Sequence, residues 1–243
     1  MATIGVTDSG MGGLTVLNAL IRNCSHNYIF LADTPGAPYG LKSKENITFL
    51  TGNCIDRLIC AGADIIVVAC NTATSAAIDT IRSIYDIDII GTEPAIMPAI
   101  RAKHKKILSL ATPYTIQSAR YIRLAANFRD YITDCPCRDL AALIEAAAPD
   151  FDKLYDYIKS ILKPFLDYTA IVIGCTHYAL VADIIKKIMP HAEIFDSSAG
   201  IVSRVKHICS GKGLAEEDLC VKITGIREDL ETSLYYEVLN NLR

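Results

Sequence analysis

Apolar positions along the chain fall into two alternating patterns. Short runs of β-branched and aliphatic residues at 3–7, 28–32, 65–69, 87–90, 107–111, 170–173, 193–196 and 221–224 have the composition of buried strands. Between them, apolar residues recur with helical period over 14–21, 46–61, 75–85, 116–127, 139–147, 151–166, 180–189, 199–209 and 229–242. Strands alternating with helices predict βαβ units, and therefore an α/β fold with mainly parallel sheets flanked by helices.

The pattern also repeats. Two strands end alike, in Ala69-Cys70-Asn71-Thr72 and in Gly174-Cys175-Thr176-His177, and the two cysteines lie 105 residues apart. The same offset places the first strand, ending at Asp8, against the strand that ends near Thr112 and Pro113. The chain therefore reads as two pseudo-symmetric lobes with a ligand cleft between them. The first lobe takes residues 1–92 and 210–243, and the second takes 93–209. Ligands of such sheets sit beyond the carboxyl ends of the strands, where Asp8, Cys70, Thr112 and Cys175 all fall.

Composition narrows the class. With 51% hydrophobic residues in 243, a substantial core is expected, yet no apolar run approaches the roughly 18 residues of a membrane span. The amino terminus has neither a basic leader nor an apolar segment, so a cytoplasmic protein is expected. Nine cysteines, an odd number, argue against a disulfide framework. The net charge of −3 and scattered basic residues give no nucleic-acid face, and the cluster Arg101-Ala102-Lys103-His104-Lys105-Lys106 reads as a solvated turn before a strand.

Candidate chemistry concentrates at the strand ends. Asp8-Ser9-Gly10-Met11-Gly12-Gly13 joins the first strand to the first helix, where glycines let backbone amides approach an anion. A dinucleotide fingerprint would match Asp33 as its ribose-binding acid but would need its third glycine at position 15, which is Thr15. On residues alone, Pro38-Tyr39-Gly40 reads as a surface turn whose tyrosine is able to cap a site. The side chains of Asn71, Thr72, Thr176 and His177 are suited to holding a carboxylate or an ammonium group. Cys70 and Cys175 need help to ionise, because an unperturbed thiol has a pKa of about 8.5. Asp8 and His177 are the candidate partners. Cys24, Cys54, Cys60, Cys209 and Cys220 read as inert buried hydrophobes. Cys135-Pro136-Cys137 has no second pair or nearby histidine for a zinc site.

Seven motifs in order carry a family resemblance: Asp8-Ser9-Gly10-Met11-Gly12-Gly13-Leu14, Asp33 through Pro38-Tyr39-Gly40, Ala69-Cys70-Asn71-Thr72-Ala73, Glu93-Pro94-Ala95, Ala111-Thr112 with Thr115, Leu143-Ile144-Glu145, and Gly174-Cys175-Thr176-His177-Tyr178. Through them the chain resembles the glutamate racemases, cofactor-independent members of the aspartate/glutamate racemase superfamily. The resemblance implies interconversion of L- and D-glutamate without cofactor or metal, supplying D-glutamate for peptidoglycan in a bacterium. It assigns Cys70 to D-glutamate with Asp8 assisting, and Cys175 to L-glutamate with His177 assisting and Glu145 orienting His177. It further implies that Ser9, Pro38, Tyr39, Gly40, Asn71, Thr72, Thr112, Thr115 and Thr176 hold the substrate, and that the protein is a homodimer. Thr7, Met11, Ile96-Met97, Pro113-Tyr114 and Ala179 depart from the family pattern and are expected to alter packing or affinity rather than remove a base. The amino-terminal extension of members activated by a cell-wall precursor is missing, so that regulation is not expected. Aspartate or a hydantoin as substrate, or a glutamate-binding protein with inert thiols, are the alternatives.

Overall fold

A computed structural model describes residues 1–214, 220–225 and 231–242. Its elements, in chain order, are β1 (Thr3–Asp8), α1 (Gly13–Asn23), β2 (Asn27–Ala32), α2 (Lys44–Cys60), β3 (Ile65–Val68), α3 (Asn71–Ile84), β4 (Asp88–Gly91), α4 (Ile96–Arg101), β5 (Ile107–Ala111), α5 (Pro113–Gln117), α6 (Ala119–Ala125) and β6 (Ile132–Pro136). There follow α7 (Leu140–Ala147), α8 (Tyr155–Leu162), β7 (Ala170–Gly174), α9 (Thr176–Ala179), α10 (Ala182–Ile188), β8 (Glu193–Phe195), α11 (Ser198–Gly211), β9 (Val221–Gly225) and α12 (Glu231–Asn241). They form two parallel sheets, one of five strands ordered β4-β3-β1-β2-β9 and one of four ordered β6-β5-β7-β8.

The strand order explains the repeat. Reading β4-β3-β1-β2 beside β8-β7-β5-β6 gives the same order twice. The pair Ile65↔Asp88 recurs as Ala170↔Glu193, each residue displaced by 105. Strand β6 is absent from the sequence expectation, because Ile132-Thr133-Asp134-Cys135-Pro136 is polar, lies at a sheet edge and ends in proline. The repeat does locate it: Ile132 stands 105 positions after Asn27, which opens β2.

Each strand divides its residues between two layers, as a period of two requires. Ile65 and Val67 join the largest buried cluster with α1, α9, α10 and α11, while Ile66 and Val68 join a second cluster with α2 and α3. A third cluster, including Ile107, Tyr121 and Val172, covers the other face of the smaller sheet. The largest cluster carries Val6 and Leu17 together with Ile171 and Tyr178, so the two sheets share one continuous apolar layer.

Several expected elements shift. Helix α3 starts at Asn71 rather than 75, because its polar first turn is a helix start capped by Cys70 and not a loop. The helix expected over 116–127 breaks at Ser118, whose hydroxyl caps Tyr121 N–H and donates to Thr115 O. The segment 151–166 holds α8 between single 3₁₀ turns at Phe151–Leu154 and Lys163–Phe165. The helix expected from 180 is preceded by the separate turn α9, and α4 was not anticipated. Residues 229 and 230 of the last expected helix lie outside the described residues. Cys60 and Cys220 are exposed, which corrects their reading as buried hydrophobes; Cys24, Cys54 and Cys209 are buried. The basic cluster is a turn between α4 and β5, with Lys103 at positive φ. Among the described residues, no helix is long and apolar enough to cross a membrane.

Ile4 sits fully buried in central β1, between β2 and β3. Replacing it with alanine is expected to destabilise the fold by about 2–5 kcal/mol in urea denaturation, against at most ~0.5 kcal/mol for exposed Ile84→Ala.

Candidate active site

A cavity of about 490 Å³ opens where the carboxyl ends of both sheets meet, and both Cys70 and Cys175 line it. Each cysteine is the residue immediately before a helix: Cys70 precedes α3 and Cys175 precedes α9. Both strands deliver a buried sulfur to the cleft and then turn, so the thiols face a common space at 6% and 7% residue exposure.

Around the sulfurs the symmetry ends. Cys70 Sγ accepts a long hydrogen bond from Ala73 N–H at 3.5 Å, at the start of a 14-residue helix that favours negative charge. It lies 3.6 Å from Ser9 Oγ, which is itself 3.4 Å from Asp8 Oδ1. Asp8 therefore reaches Cys70 through Ser9 rather than by a direct bond. Burial, and next the negative charge of Asp8, push the Cys70 thiol up to about 12. Cys175 Sγ instead stands 3.9 Å from His177 Nδ1, and His177 Nε2 is 2.7 Å from Glu145 Oε1. Burial works against a charged His177, but Cys175 and Glu145 on its two nitrogens overcome it, and the imidazole is held well above its usual pKa.

The loop Asp8-Ser9-Gly10-Met11-Gly12 is pressed against the turn that follows β7 in the opposite sheet. Thr176 Oγ1 donates to Asp8 Oδ2 at 2.9 Å, and Gly10 N–H donates to Asp8 Oδ1 at 3.1 Å. Met11 N–H donates at 2.7 Å to the same Glu145 oxygen that meets His177. No side chain fits between these segments. A Cβ on Gly10 would lie 2.0 Å from Glu145 Oε1, and one on Gly12 would lie 2.5 Å from His177 N. Burial drives the Asp8 carboxyl above its ordinary value, while His177 and the Thr176 hydrogen bond pull the other way without cancelling it.

Three threonines make a second seam. Thr72 Oγ1 is 3.0 Å from Thr112 Oγ1 and 3.4 Å from Thr115 Oγ1, and the last two are 3.0 Å apart, which leaves hydroxyls free to rotate toward a ligand. Tyr39 is buried rather than part of a surface turn, because its hydroxyl donates at 2.7 Å to Asp33. Asp33 also accepts from Gly36 N–H and so fixes the loop that brings Pro38, Tyr39 and Gly40 to the cavity.

Of the residues expected from the sequence, Ser9, Pro38, Tyr39, Gly40, Cys70, Asn71, Thr72, Thr112, Glu145, Cys175 and His177 line the cavity. Asp8, Thr115 and Thr176 stand behind its wall, buried and hydrogen-bonded to residues that do line it or to one another. Sequence reasoning missed Arg138, Leu234 and Tyr235 in the lining. Arg138 is the only lysine or arginine there among the described residues. The last two come from α12, where Tyr235 Oη meets Thr34 Oγ1 at 2.8 Å. No sequence motif marks them, since only chain folding brings α12 to the cleft.

The profile of the Asp/Glu/Hydantoin racemase family matches residues 8–205. The chain belongs to that family. A protein of Clostridium acetobutylicum named glutamate racemase is 39% identical over 84% of this chain and 82% of its own length. One of Halothermothrix orenii with the same name is 34% identical over 98% and 99%. The crystal structure of Escherichia coli glutamate racemase, in complex with L-glutamate and the activator UDP-MurNAc-Ala, matches with a TM-score of 0.86 and 26% identity, covering 99% of this chain and 95% of that one. That of the Francisella tularensis enzyme with D-glutamate matches at 0.81 and 25%, covering 98% and 94%. The protein is thus an enzyme of a racemase family.

Two outcomes follow from the site's electrostatics. A carboxyl whose folded pKa is raised stabilises the fold fully below its unfolded pKa and loses that contribution as pH rises through the folded value. Asp8→Asn is therefore expected to gain stability relative to the native chain between pH 4 and pH 7.5, measured as the difference in urea unfolding free energy; a difference constant with pH would contradict a buried charge at Asp8. Removing the carboxylate charge beside the imidazole should lower its pKa, so Glu145→Gln should move the His177 titration to lower pH in imidazole ¹⁵N NMR.

Proposed function

We propose that this enzyme is a glutamate racemase that moves a proton between the two faces of the substrate α-carbon with Cys70 and Cys175. The observation that supports this most directly is the two thiols lining one cavity, each backed by a different set of proton carriers. The names of the relatives and the glutamate bound in two structural neighbours favour that substrate.

In the L-to-D direction, the Cys175 sulfur takes the α-proton as a thiolate, with charged His177 opposite it. The electron pair stays on the α-carbon and spreads into the adjacent carboxylate. Cys70 then gives its proton to the other face. Burial, and next the charge of Asp8, push the Cys70 thiol up to about 12, so Cys70 rests as the acid this step needs. Return of the protons through Ser9 and Asp8 on one side and His177 and Glu145 on the other resets the site, and the reverse reaction exchanges the roles.

An α-carbon acid is weak, and fixed donors in a dry cavity must stabilise the anion that forms. We assign the α-carboxylate, ammonium and side-chain carboxylate of glutamate to Ser9, the Pro38-Tyr39-Gly40 loop, Asn71 and the hydroxyls of Thr72 and Thr112, with Thr115 and Thr176 supporting them from behind the cavity wall. The lobes 1–92 with 210–243 and 93–209 bracket this cleft in the proposed domain division; residues 215–219, 226–230 and 243 lie outside the described ones. The proposed role is supply of D-glutamate for peptidoglycan in a bacterial cytoplasm, by a homodimer.

Incubation with either enantiomer in deuterium oxide without added cofactor should place deuterium at the α-carbon and drive optical rotation to zero. Cys70→Ser and Cys175→Ser should each lower racemisation by about 10²-fold or more. Native rates in either variant would defeat the two-thiol mechanism, and faster turnover of aspartate in a substrate panel would defeat the choice of glutamate.

A further inference from the structure

Cys135 and Cys137 flank Pro136 at the end of β6, and the racemisation chemistry uses neither thiol. Residues two apart in extended chain project to the same side, and here the two sulfurs stand 4.0 Å apart. Cys135 is part-exposed, whereas Cys137 is buried with 5% exposure. A disulfide needs an S–S distance of about 2.05 Å and Cβ atoms about 3.5–4.5 Å apart, so closing the pair requires the backbone around Pro136 and Cys137 to move with the sulfurs.

Cys137 also has a structural post beside the catalytic turn. Its carbonyl accepts from Tyr178 Oη at 2.7 Å, and its N–H donates to Ala111 O at 2.9 Å. Tyr178 follows His177 directly. Arg138, next along the chain, lines the cavity, and α7 then carries Glu145 to His177.

We propose that Cys135 and Cys137 form a reversible dithiol–disulfide site, oxidised by small disulfides such as glutathione disulfide, and that its closure lowers activity by disturbing the supports of His177. The Cys135 thiolate attacks one sulfur of the small disulfide and expels a thiolate, giving a mixed disulfide. The Cys137 thiolate then attacks Cys135 Sγ and expels the second small thiolate, so two protein thiols are oxidised as one disulfide is reduced to two thiols. The division of labour fits the environments: the hydrogen bond from Cys137 holds Cys135 below the ordinary thiol value, and the same bond together with burial raises Cys137.

The tryptic peptide 130–138 contains these two cysteines and no others. After the folded enzyme is equilibrated with glutathione disulfide and alkylated, this peptide is expected to be lighter by two hydrogens and unalkylated, with racemase activity reduced severalfold and both changes reversed by dithiothreitol. Cys135→Ser should keep its activity through the same treatment. The site is overturned if the peptide stays fully alkylated in the folded protein under conditions that oxidise it in urea. The coupling is overturned if the disulfide forms without loss of activity, or if Cys135→Ser loses activity equally. The peptide masses read the disulfide whether or not the substrate is glutamate; failure of that reading would appear as a reduced enzyme that does not racemise it.

Discussion

The site depends on a close approach without side chains, where the loop after β1 lies against the turn after β7. Gly10 and Gly12 keep that space open, and the carboxylates of Asp8 and Glu145 bind across it to Thr176 and to Met11. Glu145 Oε1 takes two donors at once, one from each side of the cleft. Loss of the close approach would part Glu145 from Met11 and Asp8 from Thr176. Burying the Asp8 carboxylate and partly burying that of Glu145 is costly, and it is tolerated here because each has hydrogen-bond donors aimed at it.

The backbone plan is duplicated, and the chemistry is not. Strand order, strand register at β3-β4 and β7-β8, and the position of each cysteine before a helix all recur. On one side the sulfur meets a hydroxyl and a helix N-terminus and is kept protonated by burial and a nearby anion. On the other it meets an imidazole held cationic. In the proposed mechanism the two faces of the substrate are served by opposed sulfurs, one acting as base while the other acts as acid. Unequal surroundings supply that difference before a substrate arrives.

Much of this was legible in the residues. Alternation of apolar runs and helical periods is a local property of burial, so eight of the nine strands among the described residues follow from it, each within a residue or two at its ends. The edge strand β6 escaped because its polar residues and terminal proline look like a turn, although the repeat marks its place. The helix starts at Asn71 and at Ala119, after the Ser118 cap, differ from the expected ones because capping residues and loop residues are the same types. Tyr39 was misjudged for a related reason: Pro and Gly around it signal a turn, but nothing local reveals that its hydroxyl finds Asp33.

The sequence by itself determined the two related βα halves, the paired thiols at equivalent strand ends and the polar residues beside them, because these are consequences of periodicity and of what can follow a buried strand. Tertiary structure alone decided the rest. It placed Ser9 between Asp8 and Cys70, brought Glu145 from α7 to His177, moved Asp8, Thr115 and Thr176 behind the cavity wall, and folded α12 over the mouth so that Leu234 and Tyr235 line it. Those contacts join residues far apart in the chain, and their geometry is set by how two sheets share one apolar layer. No local pattern encodes that distance.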